Sequence, residues 1–307
     1  MPILPPKTPV PTPAALLNNV PVMVGALLLL DSLFFIFVKA LHSVLPPIAA
    51  SAFVMTIATV QIVTAAAWQK QFRWQTFRDH WWFFLAIGGL VAAATAVSYT
   101  AIAYIDPGTA SLLGQSSIIF GLLFGVLLLH DRFTPRQIIG AALALIGVLI
   151  ISFQPGDYFR LGALLVVLGA LFYAFHAYLY KRFGSGLRML EFFSWRLIWC
   201  SIFLWLIAWQ QGQLVLPSGW LGWGLVLLVG TVDITLNRLL YYLALRRLTI
   251  SMHTLILTLS PVVTIVWALL LFQTRPTLQE LIGGATILVG IFLVTYARPV
   301  PQPAPAD

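Results

Sequence analysis

The polar side chains able to do chemistry are few, and most stand inside apolar runs. Asp233, Asn237 and Arg238 lie four and five residues apart, so on a helix the acid and the amide share a face and the guanidinium sits one residue round. Such a group can receive an ammonium on the carboxylate and amide while the guanidinium grips a carboxylate in bidentate fashion. The plainer alternative is a structural ion pair that lowers the mutual cost of insertion. Asp31 stands about eleven residues into another apolar run, which at about 1.5 Å per residue puts it near the midplane. An ionisable group at that depth costs about 2.5–3.5 kcal/mol on insertion scales and is a functional candidate by default. Arg196 has a stem long enough to snorkel to the surface or to meet Glu191. His176 and His253 suit either hydrogen-bonded packing or a proton relay. Tyr99 and Tyr242, with Tyr173, Trp195, Trp199 and Tyr241, offer an amphipathic wall or ordinary packing. Pro261, inside an apolar run, frees the carbonyl of Leu257 and makes either a hinge or an extra acceptor.

No HExxH, no GxSxG, no Cys/His cluster and no pair of acids at catalytic spacing occurs in the sequence, so neither an enzyme nor a metal or cofactor site is expected. A channel would want a ring of like polar groups or a carbonyl-lined filter, whereas the glycine-rich segments read as packing faces. The 17 Lys and Arg, which give a formal charge of +8, are scattered singly rather than gathered on one face, which speaks for membrane topology and against nucleic acid. Cys200, the single cysteine, can form no internal disulfide.

The elements that must position these residues follow from composition. Of the 307 residues 60% are hydrophobic and 8% charged, with a mean hydropathy of +0.95, far from the roughly 25% charged of soluble domains. Lipid offers the backbone no hydrogen-bond partner, and runs this continuous do not alternate as barrel strands do, so the spans are helices. Ten are expected, at 20–41, 47–68, 81–104, 108–129, 137–153, 161–180, 190–209, 219–244, 249–272 and 280–297. The fold class is an all-α integral membrane protein in contact with lipid along its whole girth. On the N-terminal side lie Lys7, Lys70, Arg73, Arg78, Arg132, Arg136, Lys181, Arg182, Arg188, Arg246, Arg247 and Arg298; the other side has Lys39, Arg160 and Arg275. Twelve against three puts both termini in the cytoplasm of a multi-pass protein of the cell membrane. Residues 1–18 lack the pattern of a cleaved signal peptide, and with 299–307 they read as disordered, Pro-rich extensions.

Shifting the chain by 143 residues sets Thr134 on Thr277, Arg132 on Arg275, Gly140 on Gly283, Gly147 on Gly290, Tyr99 on Tyr242 and Ser117 on Ser260. Two repeats result, 20–153 and 161–297. Each holds five spans, an odd number, so the second enters the membrane from the opposite side. Inverted repeats are an architecture of secondary transporters, with the cargo site near the midplane between the halves, although duplication also builds channels and membrane enzymes.

The stretches YTAIAYIDPGTASLLGQSSIIFGLLFGVLLLHDRFTPRQIIGAALALIGVLII and YYLALRRLTISMHTLILTLSPVVTIVWALLLFQTRPTLQELIGGATILVGIFLV resemble the EamA-type members of the drug/metabolite transporter superfamily, and the likeness covers nearly the whole chain. The family's Gly-Glu-Arg-hydrophobic-Thr turn reads here His130-Asp131-Arg132-Phe133-Thr134 and Gln273-Thr274-Arg275-Pro276-Thr277. The family proline is present as Pro261 but is Ile118 in the first half, and the family's second-helix arginine appears only in the seventh span, as Arg196. The resemblance implies ten helices in two five-helix repeats and movement, often export, of amino acids, related metabolites or drugs across the cytoplasmic membrane, with no cofactor. Nucleotide sugars or other organic phosphates are the alternative cargo. Such cargo would want several cations in the cavity, where Asp31 and Asp233 instead oppose Arg196, Arg238 and Lys39. Gly121 and Gly125 form a GxxxG pair suited to internal packing or to a homodimer.

Overall fold

The apolar runs become helices, and the prolines mark where they start. In the computed structural model, which describes residues 20–129, 134–154, 158–184, 186–247 and 257–296, the chain is helical almost throughout. The first half comprises α1 (Val20–Ser32), α2 (Phe34–Leu41), α3 (Pro47–Trp68), the short α4 (Trp74–Asp79), α5 (Trp81–Ala101), α6 (Pro107–Gly114), α7 (Ser116–Leu129) and α8 (Pro135–Ser152). A ladder of two residues a side, β1 (Phe153–Gln154) and β2 (Tyr158–Phe159), links the halves. The second half has α9 (Leu161–Phe183), α10 (Met189–Gln210), α11 (Gly219–Val229), a π-helical segment (Gly230–Leu236), α12 (Asn237–Arg247), α13 (Ser260–Phe272) and α14 (Leu278–Tyr296). Pro47, Pro107 and Pro135 occupy first-turn positions, where a missing N–H costs nothing.

Among the described residues nine helices are long and apolar enough to cross a membrane, against the ten expected. The difference lies in the ninth span. Its described helix, α13, has 13 residues, about 20 Å of rise against a hydrocarbon core of about 30 Å. The residues expected to complete it, 249–256, lie outside the described set, as do both Pro-rich ends and the first-half turn at 130–133. The leucines and isoleucines exposed along α7, α8, α10, α11, α13 and α14 are the lipid-facing surface that such a protein requires.

Glycines set the tightest contacts. Helices α8 and α14 run antiparallel with Gly140 against Gly290 and Gly147 against Gly283. A Cβ on Gly140 would lie 2.5 Å from the Gly290 oxygen, and one on Gly147 would lie 2.5 Å from the Gly283 oxygen. Backbone thus meets backbone, which is how small residues drive helix association in lipid. Gly121 of the GxxxG pair has nothing within 4 Å of a Cβ position, so internal packing does not use it. The N-termini of α8 and α14 are closed alike. Thr134 and Gln137 form a reciprocal capping box, and the Thr277 hydroxyl and Glu280 carboxylate exchange the same pair of bonds with each other's backbone, each satisfying orphan donors of a first turn. Glu280 also forms an ion pair with Arg160, at the start of α9.

Three spans are broken rather than straight. The first turns at Leu33, between α1 and α2, the fourth at Gln115, between α6 and α7, and the ninth at Leu259, just before α13. Pro261 lies in the first turn of α13. The carbonyl it frees, that of Leu257, accepts a hydrogen bond from the Gln115 side chain at 3.4 Å. The Thr264 hydroxyl lies 2.9 Å from the carbonyl oxygen of Ser32 at the first-span break. The three breaks therefore meet, and side chains take up the backbone groups they release.

Candidate functional site

Beside these breaks the intramembrane polar residues converge from five spans. Asp233, in the π segment, lies within electrostatic reach of Arg238, Asp31 and Tyr99; His176, from α9, lies within reach of Arg196 and Arg238. A π turn spaces hydrogen-bonded partners five apart instead of four, and the Asn237 N–H does reach the Val232 oxygen. Arg238 is thereby brought round toward Asp233, nearer than the α-helical spacing in the sequence suggests.

Burial decides what several of these groups do. Arg196 is 5% exposed, so its stem does not carry it to the surface. Its guanidinium lies 4.6 Å from the Phe193 ring centroid, a cation–π arrangement. Glu191, its expected neighbour, accepts a hydrogen bond from the Thr76 hydroxyl at 2.5 Å. The Arg238 guanidinium stands 5.8 Å from the ring of Tyr173, which also packs on His176 at 5.4 Å. Tyr99 is fully buried edge-on to Phe34, and its backbone oxygen accepts from His42 Nε2 at 2.8 Å. Asp233 Oδ2, Asn237 Oδ1 and the Tyr99 hydroxyl are buried with no hydrogen-bond partner among the described residues. Buried polar atoms are nearly always satisfied, which makes these three, gathered near Arg238 and Asp31, candidates for contact with another polar group. His253 and the Tyr242 side chain lie outside the described residues.

A crevice lined by Ile62, Met189, Phe193, Arg196, Ile234 and Arg238 leads to the group. At about 20 Å³ it has room for about one water. A larger groove, about 470 Å³, is formed by Leu149, Ile150, Phe153 and Gln279 at the ends of α8 and α14; it touches none of the buried charges.

Sequence reasoning did not pick out Gln61, Gln115, Thr231 or Thr235. Each is a neutral polar residue in an apolar run, and that interruption was the available signal. Gln61 bonds to both threonines.

Comparison with known proteins accords with this architecture. A solved crystal structure superposes with a TM-score of 0.64 at 18% identity, covering 90% of this chain and 97% of that one, a likeness of fold. UDP-xylose transporter 1 of Arabidopsis thaliana is 37% identical over 71 residues, 23% of this chain, and the match spans only about a fifth (21%) of that relative's length. The EamA-like transporter family matches residues 20–153 and again 160–296, one copy on each half, and the chain belongs to that family of membrane transporters.

Proposed function

We propose that the chain is a secondary transporter, an exporter of small polar metabolites such as amino acids and related compounds, working by alternating access between two inverted five-helix repeats. The observation that carries this reading is the meeting of Asp31, Tyr99, His176, Arg196, Asp233, Asn237 and Arg238 at the junction of the repeats, where Asp233 Oδ2, Asn237 Oδ1 and the Tyr99 hydroxyl are buried without a hydrogen-bond partner among the described residues. Guanidinium groups offer planar donor pairs to a carboxylate, while the acids and the amide suit an ammonium. A small zwitterion uses both.

The inverted arrangement is supported by reciprocity. Gly140 meets Gly290 while Gly147 meets Gly283, although the 143-residue register pairs Gly140 with Gly283. Swapped partners of this kind are what a two-fold axis produces, and for two antiparallel membrane helices that axis lies in the membrane plane. With ten spans and the twelve-to-three count of Lys and Arg, this reading puts both termini in the cytoplasm. Alkaline phosphatase fused after Asp307 should be inactive; an active fusion would put that end outside the cytoplasm and overturn this topology.

The direct test is uptake of labelled amino acids into everted membrane vesicles, with and without an imposed pH gradient. Accumulation above empty-vector vesicles is expected for at least one amino acid. In the same assay Arg238→Lys keeps the charge but loses the planar fork, and should raise the half-saturation concentration about tenfold, ~1.4 kcal/mol, with a smaller change in maximal rate. Equal affinity in the two proteins would take Arg238 out of the site. A second reading has its own support. Arg196 and Arg238 line one crevice, as an organic phosphate would want, and the Arabidopsis thaliana relative is named for UDP-xylose. Vesicles that exchange UDP-sugars and no amino acid would establish that reading in place of the first.

A further inference from the structure

The π segment Gly230–Leu236 carries Asp233 and leads directly into Asn237 and Arg238. One side chain of α3 grips it at two points. The Gln61 amide nitrogen donates to the Thr231 hydroxyl at 2.7 Å, and the Gln61 carbonyl oxygen accepts from the Thr235 hydroxyl at 2.6 Å. Both ends of the amide are used, which fixes its orientation. The Thr235 hydroxyl also lies 3.1 Å from the Gly230 oxygen five residues back, the reach of a π turn. Gly230 lets the two helices approach this closely, since a Cβ there would meet Ile57 at 2.9 Å and the Val54 oxygen at 3.0 Å.

The repeat supplies an internal comparison. Its corresponding contact is between α10 and α5, where a Cβ on Gly88 would meet Trp199 at 2.5 Å and the Cys200 nitrogen at 3.2 Å. The 143-residue register sets Leu204 in place of Gln61, Gly88 in place of Thr231 and Ala92 in place of Thr235. No clamp can form there, and α5 runs α-helical from Trp81 to Ala101. The π turn occurs where the clamp is, and the same helix pair without the clamp lacks it.

A π turn holds an extra residue against the α-helical register. Losing it turns everything beyond by about 100°, one residue's share of a 3.6-residue turn. Arg238 would then swing away from Asp233, and Asn237 would turn with it relative to the helix that precedes the π segment. We infer that Gln61, through Thr231 and Thr235, is a positioning residue of the cargo site, holding the π register that keeps Asp233, Asn237 and Arg238 on one face. This rests on reading that face as the cargo site.

The test separates the clamp from the cargo. In the Cys200→Ala chain carrying Asn237→Cys, reconstituted in liposomes, the rate of labelling by aminoethyl methanethiosulfonate reports where position 237 faces. Removing both hydroxyls with Thr231→Val and Thr235→Val, which keep the shape, should slow labelling about tenfold, as loss of the π turn rotates position 237 away from the side on which the Asn237 amide oxygen is left open. Thr231→Ser and Thr235→Ser should restore it, and Gln61→Leu should act like the valines. If Gln61→Leu does not elute as folded protein, the valine and serine pairs decide alone. Unchanged labelling with both hydroxyls gone, or slow labelling that serine fails to restore, would overturn the clamp. Separately, the valine pair in the chain with native Asn237 should raise the half-saturation concentration for labelled amino acids without a matching loss of maximal rate. A parent that moves no amino acid defeats the cargo reading, and the labelling result still decides the clamp.

Discussion

Asp233→Asn is expected to abolish pH-gradient-driven accumulation of cargo, by about a hundredfold or ~2.7 kcal/mol, while exchange of labelled for unlabelled cargo at equal pH remains measurable. Asp233 is 3% exposed, and one of its oxygens has no hydrogen-bond partner among the described residues. A carboxylate so placed is tolerable when it faces a cation or carries a proton. Both conditions are available here, because the Arg238 cation and the like-charged Asp31 both lie within electrostatic reach of Asp233. In the alternating cycle proposed above, the acid would give its proton to one side and take up the cargo ammonium in exchange, so that one transmembrane gradient would drive the other. The amide keeps the shape and the hydrogen bonds but exchanges no proton, so coupling is lost and binding survives. The same split should appear, more weakly, in Asp31→Asn, because Asp31 is only partly buried. Gradient-driven transport by both variants at parental rates from acid to alkaline pH would make these acids structural partners and end the proton-coupled mechanism, leaving the family assignment in place.

The second large effect is on assembly. Gly147→Leu or Gly290→Leu should remove most of the folded protein from the membrane, and even Gly147→Ala should cost about 1–3 kcal/mol, the range for overpacked cores. A Cβ on Gly290 would lie 2.5 Å from both the Ala144 nitrogen and the Gly140 oxygen. Those neighbours are backbone and cannot rotate aside. Gly25→Ala and Gly224→Ala, where nothing stands within 4 Å, should be neutral or gain up to about 1 kcal/mol from helix propensity. The measurement is detergent-solubilised melting temperature together with the yield of monodisperse protein. Equal melting of Gly147→Ala and Gly224→Ala would mean that α8 and α14 do not pack as described.

The fold was largely legible in the sequence because lipid leaves so few choices. Continuous apolar runs mark helices, prolines mark their starts, and the 143-residue register of Thr134, Gly140 and Gly147 exposes the duplication before any contact is seen. The site was legible only in its charges. Asp233, Asn237 and Arg238 stand out because ionisable groups are rare at that depth. Arg196 was placed ambiguously, since snorkelling and burial need the same stem length; the neighbouring rings of Phe192 and Phe193 decide for burial. The π segment was hidden altogether, because GTVDITL differs in no composition from an α-helical stretch. Its cause is a glutamine on another helix, about 170 residues away in sequence. Gln115 escaped for the same reason, its partner being a carbonyl released by Pro261 in the other half.

The glycine seam between α8 and α14 also bears on how the protein is made. Gly140 and Gly290 are about 150 residues apart in the chain, so at about 5–20 residues per second the ribosome needs roughly 8–30 s to supply the second after the first. Through that interval α8 stands in the bilayer with its bare backbone stripe covered by acyl chains, which fill it less well than another helix does. The first half is therefore a nascent intermediate waiting for its complement, and a chain truncated after β2 should be a substrate for membrane quality-control proteases rather than a stable half-transporter.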